Sequence, residues 1–165
     1  MHMKLENIHI RTIEQKDNAA IATIIRNSLA EFGANKKGTV YYDPTTDDLY
    51  NLFKRPGSIY FVAEYNNTLI GGAGIFPSDG LPKDTCELVK MYLKPEARGI
   101  GLGKLLIQKC IDFAVETGYK NIYIETMPEL KQALKVYEKF GFEYIKAPIG
   151  NTGHFGCDMF MVKKL

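Results

Sequence analysis

Several features that would point to a particular class of protein are scarce in this sequence. The chain has three cysteines, Cys86, Cys110 and Cys157, and no CxxC or CxxH pair, which argues against a zinc site, a redox dithiol and a disulfide scaffold. No apolar run approaches the roughly 18 residues of a membrane span, and the first residues contain no apolar signal core. We therefore expect a metal-free cytoplasmic protein with reduced cysteines and no membrane partner.

The sequence also has no large excess of positive or negative charge. The 21 Lys and Arg residues nearly balance the 19 Asp and Glu residues, which leaves a net charge of +2. This balance argues against nucleic acid as a partner, but it allows a small polyanionic ligand if the positive groups are concentrated in one place. The hydrophobic fraction of 45% is ordinary for a globular protein. With no repeat or linker, residues 1–165 are predicted to form one domain.

The spacing of apolar residues predicts seven strands and four helices. The strands are expected at 5–12, 59–64, 69–76, 84–94, 121–126, 142–145 and 155–163. The helices are expected after Asp17 as N-cap, after Pro44, over 102–117 and over 130–140, and glycines end three of them. The order mixes hairpins with helical crossovers. It predicts an α/β (α+β) fold with a mixed, mostly antiparallel sheet.

Two local patterns refine the predicted sheet. Asn66-Asn67 separates two apolar runs, and asparagine tolerates the positive φ of a tight hairpin turn. The second run contains Gly71-Gly72-Ala73-Gly74. These glycines weaken the strand locally or allow another backbone or a ligand to approach closely.

A glycine-rich segment from Arg98 to Lys104 follows a predicted strand and opens a predicted helix. It reads Arg-Gly-Ile-Gly-Leu-Gly-Lys. Glycines let successive backbone N–H groups point at one spot, and a helix N-terminus adds unpaired N–H groups and positive potential, so phosphate is the usual ligand of such a turn. The Walker motif fails because Arg98 and Leu105 stand where Gly and Ser or Thr are required, and G-x-G-x-x-G is absent. A plain connecting turn remains the alternative.

Three segments in order resemble the GNAT (Gcn5-related) N-acetyltransferases. The strand 87–93 and the turn 98–104, with Pro95 three residues before Arg98, resemble the family's acetyl-CoA signature. The segment 133–142 is similar to its A-x-x-x-Y-E-K-x-G-F pattern. The resemblance covers about residues 58–146. It departs where many members have asparagine three residues before the helix alanine, because this chain has Leu130 there.

The resemblance implies a cofactor site for acetyl-CoA. The turn residues Arg98, Gly99, Ile100, Gly101, Leu102, Gly103 and Lys104 would hold the pyrophosphate, mainly through backbone N–H groups. The pantetheine arm would pair, like an added strand, with the backbone of Met91, Tyr92 and Leu93. Members of the family are often dimeric, so the resemblance leaves a homodimer open.

The resemblance also implies two proton-transfer roles. Glu87 matches the strand glutamate that takes a proton from the amine, and Tyr137 matches the helix tyrosine that protonates the leaving sulfur. From the residues alone, Glu87 could instead be a salt-bridged or rim-exposed carboxylate. Tyr137 could be an ordinary core aromatic at helical spacing.

The sequence says less about the acceptor. Family members admit it near the first two helices and the last loop. The candidates there are Phe32, Tyr41, Tyr42, Asp43, Phe76 and His154. Aromatics beside Asp43, Asp47 and Asp48 could hold a cationic amine, but helix-capping acids on a polar loop explain the same pattern. His154, in a loop flanked by glycine, could assist proton transfer, but it has no evident partner in the sequence and also fits an exposed loop residue.

Together these patterns predict an N-acetyltransferase. It would transfer the acetyl group of acetyl-CoA directly to a primary amine of a small molecule or peptide. Two alternatives remain: an inactive acyl-CoA-binding sensor of the same fold, and an unrelated phosphate-binding α/β protein.

Overall fold

The computed structural model describes residues 3–153 and 155–165. Its seven strands form one sheet in the order β1-β2-β3-β4-β5-β7-β6, in which only β4 and β5 run parallel. The strands are β1 His9–Thr12, β2 Ile59–Tyr65, β3 Thr68–Phe76, β4 Thr85–Leu93, β5 Asn121–Thr126, β6 Glu143–Ile145 and β7 Met159–Lys164. The helices are α1 Asn18–Glu31, α2 Leu49–Leu52, α3 Leu102–Thr117 and α4 Lys131–Lys139. The predicted fold class is confirmed.

Helices cover both faces of the sheet because its strands alternate. On β2, Ala63 packs into a core cluster with α3 and α4, whereas Tyr60 and Val62 pack into a second cluster with α1 and α2. Successive strand side chains point to opposite faces, so each cluster occupies one face. Among the residues that the structure describes, no helix has the length and apolar character needed to cross a bilayer.

The glycines of β3 admit a neighbouring ring. A Cβ at Gly72 or Gly74 would lie 2.6 Å from an atom of the Tyr60 ring, closer than a side chain allows. The backbone of the adjacent strand approaches as predicted, since the Phe61 and Ile59 carbonyls would lie 2.7 Å from these Cβ atoms, and the Tyr60 ring, which was not predicted, approaches as closely. The predicted hairpin at Asn66 and Asn67 is also confirmed, with φ of 51° and 62°.

The first predicted strand is too long, and Asp17 is the N-cap residue of α1 by position but makes no capping bond with its side chain. Leu5–Asn7 forms a 3₁₀ turn, because β1 pairs with β2 only as far as His9 opposite Glu64 and the β2–β3 turn follows. The Asp17 carboxylate does not cap α1. It accepts hydrogen bonds from Arg11 at 2.7 Å and from the Glu14 N–H at 2.8 Å. Burial opposes ionisation of Asp17, but these bonds outweigh it and lower its pKa.

Two further elements are shorter than predicted. The helix after Pro44 is divided into a 3₁₀ turn, Pro44–Asp47, and the four-residue α2, because the backbone of Asp48 is not helical. The last strand begins at Met159 rather than at 155, since β5 ends at its partner Thr126. The preceding segment instead joins another loop, where the Gly156 N–H donates to the Gly38 carbonyl at 2.8 Å.

Candidate functional site

The sheet opens between its two parallel strands. β4 and β5 pair only over Thr85–Glu87 and Asn121–Tyr123, and no register continues beyond them. A cavity of about 490 Å³ occupies the opening. Ser28 of α1 and Tyr137 of α4 both line it, although these helices lie on opposite faces. The cavity therefore reaches both faces of the sheet.

The glycine-rich turn forms one end of this cavity. Gly99 and Gly101 have φ of 76° and 93°, a conformation that favours glycine. Gly101 is the N-cap of α3 and no side chain caps that end, so the first N–H groups of the helix have no internal partner. Gly99, Gly101, Gly103 and Lys104 line the cavity.

Two of the residues predicted to bind the cofactor direct their side chains into the core and not into the cavity. Leu102 is 1% exposed and belongs to the core cluster under α3, and Ile100 packs against the same cluster. Neither lines the cavity. Their side chains anchor the turn, so any contribution to a ligand would come from their backbone.

Arg98 is engaged within the protein. Its Nη2 and Nε donate to the Leu93 carbonyl at 2.9 and 3.2 Å, and its Nη1 forms an ion pair with Glu31. Its guanidinium also lies 4.9 Å from the centre of the Phe32 ring. The side chain thus joins the end of β4 to α1, and the positive potential at the turn depends more on backbone N–H groups than on this charge.

The upper half of β4 gives the cavity a strand edge. Met91, Tyr92 and Leu93 line the cavity. The Lys94 N–H donates to Ile70 of β3 at 2.8 Å, and alternate residues of a strand point their N–H groups to opposite sides. The N–H groups of Met91 and Leu93 therefore face the opening toward β5.

Glu87 lies where β4 and β5 separate. It is 2% exposed, lines the cavity and accepts a hydrogen bond from the Ser78 hydroxyl. The rim-exposed interpretation is wrong. A buried carboxylate at a cavity wall can accept a proton from a bound group, directly or through water.

Tyr137 reaches the cavity from α4. Its ring is 7% exposed and packs edge-on against Phe142 with 5.9 Å between ring centres. Among the described residues its hydroxyl has no hydrogen-bond partner. Burial raises its pKa above the ordinary value of a tyrosine, so the hydroxyl keeps its proton at neutral pH and can donate it.

Among the cavity residues that the sequence-based prediction missed, three polar ones on β4 and β5 stand at the opening: Lys90, Glu125 and Thr126. Glu125 accepts a hydrogen bond from the Tyr123 hydroxyl at 2.7 Å and another from Thr152, and so ties the last loop to β5. Each of the three is a polar residue in or after an apolar run. That signal was visible, but a single strand does not show which of its polar residues face a cavity.

Thr126 carries an unsatisfied group. Its Oγ1 is the one side-chain oxygen or nitrogen in residues 3–153 and 155–165 that is both fully shielded from solvent and without a hydrogen-bond partner. Buried polar groups are almost always paired. Because Thr126 lines the cavity at the position where β5 ends, this orphan hydroxyl fits a ligand with amide groups lying along β4.

The predicted acceptor residues do not all meet at the cavity. Phe32 lines it, whereas Tyr41 and Phe76 pack against the core cluster beneath α1, and Tyr42 is exposed. Asp43 caps the 3₁₀ turn by accepting from the Thr45 N–H at 2.9 Å.

The remaining candidates are capping or paired groups, as the alternative interpretation expected. Asp48 accepts from the Asn51 N–H in α2, and Asp47 forms an ion pair with Arg26. His154 lies outside the described residues. Within the described part of the chain, no group of three or more His, Cys, Asp or Glu side chains could hold a metal ion.

Comparisons with known proteins identify the family. The model of the acetyltransferase (GNAT) family matches residues 23–142. The uncharacterized N-acetyltransferase YjgM of Escherichia coli (strain K12) is 43% identical over 157 residues, which cover 94% of each chain.

Solved structures share the fold. A GNAT-family acetyltransferase of Staphylococcus aureus Mu50 has a TM-score of 0.81 at 22% identity, covering 96% of this chain and 99% of its own. YncA, a putative acetyltransferase of Salmonella typhimurium solved with its cofactor acetyl-CoA, has a TM-score of 0.75 at 22% identity and covers 96% and 94%. With a family match over most of its length and a relative this similar, the chain belongs to the GNAT acetyltransferase family.

Proposed function

We propose that this protein transfers the acetyl group of acetyl-CoA directly to a primary amine. One observation carries the proposal: a single cavity joins the uncapped N-terminus of α3, the open edge of β4, and Glu87 and Tyr137. Acetyl-CoA supplies a thioester whose acetyl group is activated for transfer. A neighbour of the same fold was solved with that cofactor.

The residues that would hold the cofactor differ in kind along the cavity. The N–H groups of Gly99 to Lys104 suit pyrophosphate, because unpaired N–H groups and the helix dipole favour an anion. The N–H groups of Met91 and Leu93 suit the amides of the pantetheine arm, as in strand addition. Thr126 Oγ1 lies at the facing strand end and can satisfy its hydrogen bond there.

Glu87 and Tyr137 divide the proton transfers. An alkyl amine has a pKa near 10.4 and is mostly protonated at neutral pH, so Glu87 accepts its proton and leaves a nucleophilic amine. The nitrogen bonds to the acetyl carbon and the carbon–sulfur bond breaks, while the Tyr137 hydroxyl donates a proton to the departing sulfur. The second proton of the nitrogen then restores the Tyr137 hydroxyl. The two side chains come from opposite faces of the sheet, so the acceptor can approach from one side and the thioester from the other.

The test is a free-thiol assay of the purified protein. Acetyl-CoA would be incubated with panels of amino acids, polyamines, aminoglycosides and peptides, and thiol release compared with the rate without an acceptor. A thermal-shift measurement with acetyl-CoA, ATP and NAD accompanies it. Stabilisation by acetyl-CoA with no transfer to any amine indicates a sensor, and stabilisation by ATP or NAD alone contradicts the proposal.

A further inference from the structure

Lys90 occupies a strained position in the middle of β4. Its φ is 54°, and outside the β2–β3 turn it is the one non-glycine residue with positive φ in the described chain. The β3–β4 register shifts opposite it, between Gly72 and Gly74. The Tyr60 hydroxyl fixes the bulge by donating to the Lys90 carbonyl at 2.7 Å. Strained residues of this kind persist where the surroundings determine them, and they cluster at functional sites.

The bulge places a lysine side chain against the cavity. The side chain is 4% exposed, yet it forms no hydrogen bond with any described residue. Its closest carboxylate oxygen, Asp43 Oδ2, lies 3.9 Å from Nζ, beyond hydrogen-bonding distance. Most of the side chain is buried, and its three ammonium donors find no acceptor among the described residues, so the acceptor must come from water or from a ligand in the cavity.

Two carboxylates lie near the Lys90 ammonium, and one of them, Glu87, shares the cavity with it. Glu87 precedes Lys90 by three residues on β4. Burial lowers the pKa of Lys90, and the charges of Asp43 and Glu87 oppose that shift. A simple amine placed at Glu87 would bring a second cation beside Lys90. An amine that carries its own carboxylate avoids that repulsion, because its two charges can match Glu87 and Lys90.

We propose that Lys90 binds the carboxylate of an α-amino acid, which is the acetyl acceptor, and so directs its amino group to Glu87. The inference rests on the proposed acetyl transfer and adds the substrate class. The carboxylate accepts hydrogen bonds from Nζ that the protein leaves unmade. Lys90 is here a specificity-determining residue, and Glu87 remains the proton acceptor.

The experiment uses the free L-amino acids that occur in proteins as acceptors in the free-thiol assay. Each is compared with its α-carboxamide and with the amine left after decarboxylation. The wild-type protein is expected to favour the free acid in kcat/KM by about ten- to a hundredfold, the range for a hydrogen bond to a charged group. Aspartate and asparagine are also compared, because they separate a side-chain carboxylate from the α-carboxylate. Equal or faster transfer to the amides, or no transfer to any amino acid, overturns the proposal.

The variant Lys90→Met removes the ammonium at similar volume. We expect it to lose most of the preference for the free acid through a higher KM, while acetyl-CoA still raises its melting temperature. Lys83→Met, at an exposed lysine before β4, is the matched control and should keep the preference. An unchanged preference in Lys90→Met also overturns the proposal. If Lys90→Met does not fold, the wild-type comparison decides.

Failure of the two proposals gives different results. Thiol release with simple amines but not with amino acids contradicts only the role of Lys90. The absence of both thiol release and stabilisation by acetyl-CoA contradicts the proposed function itself.

Discussion

The two ends of the cavity differ in the groups that line them. The end at α3 is made largely of backbone: glycines with positive φ, an uncapped helix and the N–H groups of a strand edge. The end at Glu87 is made of side chains, namely Glu87, Lys90 and Glu125, with Asp43 behind them. Backbone recognition suits a ligand shared by a whole family, and side-chain recognition suits one that differs between members.

The largest expected effect lies at the side-chain end. Glu87→Gln keeps the size of the side chain but removes its basicity, so we expect turnover to fall by about a hundredfold or more with little change in the affinity for acetyl-CoA. The acidic limb of the wild-type pH–rate profile should disappear. Glu116→Gln, on the exposed face of α3, serves as the control. An unaltered profile in Glu87→Gln would remove this residue from the mechanism.

Tyr137→Phe tests the point where the two ends meet. We expect turnover to fall roughly 10- to 100-fold, because the departing sulfur loses its proton donor, while affinity for acetyl-CoA changes little. Thiol release in the steady state measures turnover, and the thermal shift with acetyl-CoA measures the affinity. Tyr144→Phe is the control: Tyr144 is an exposed residue of β6, so this variant should have wild-type turnover. Wild-type turnover in Tyr137→Phe would contradict the assigned role.

Gly101→Ala tests the backbone end and has a matched control at the opposite end of the same helix. Gly101 and Gly118 have φ of 93° and 97°, so alanine costs each about 1–2 kcal/mol of stability. Only Gly101 lies at the cavity. We expect Gly101→Ala to weaken acetyl-CoA binding by about tenfold. This corresponds to a loss of about 1.4 kcal/mol of binding free energy at the turn that holds the phosphates. Equal weakening in Gly118→Ala would assign the effect to strain.

Thr126→Val has the smallest expected effect, and its two parts have opposite signs. Removing an unpaired buried hydroxyl should raise the free energy of unfolding without ligand by about 1 kcal/mol, whereas acetyl-CoA affinity should fall about fivefold for one lost hydrogen bond. Thr46→Val is the contrast, since the Thr46 hydroxyl donates to Val40 at 2.9 Å and its loss should destabilise the protein. A destabilised Thr126→Val would show that its hydroxyl is satisfied within the protein.

Much of the fold was predictable because its signals are local. Apolar spacing located α3 to the residue, Asn66-Asn67 indicated a hairpin, and Gly99 and Gly101 indicated a turn with positive φ. The failures depend on distant partners. The first strand starts late because β2 ends, and Asp17 binds Arg11 rather than capping α1.

The same division applies to the site. The glycine-rich turn is contiguous in sequence, so its pattern could be interpreted directly. The cluster at Lys90 joins β4 to a loop 47 residues earlier in the chain, at Asp43, and no local pattern reports that contact. Lys90 itself stood out only as a lysine in the apolar run 88–91, and the bulge that buries it appears only once β3 is paired.

The short contact between β4 and β5 has a mechanical consequence. Three residue pairs connect β1–β4 to β5–β7 through the sheet, so the two half-sheets share one narrow seam. Local opening of the sheet should occur mainly at this seam. The backbone amides of Met91 and Leu93 should therefore exchange with deuterium faster than those of the paired residues 85–87. A molecule that hydrogen-bonds along this edge would act as a removable eighth strand and join the two halves while it is bound.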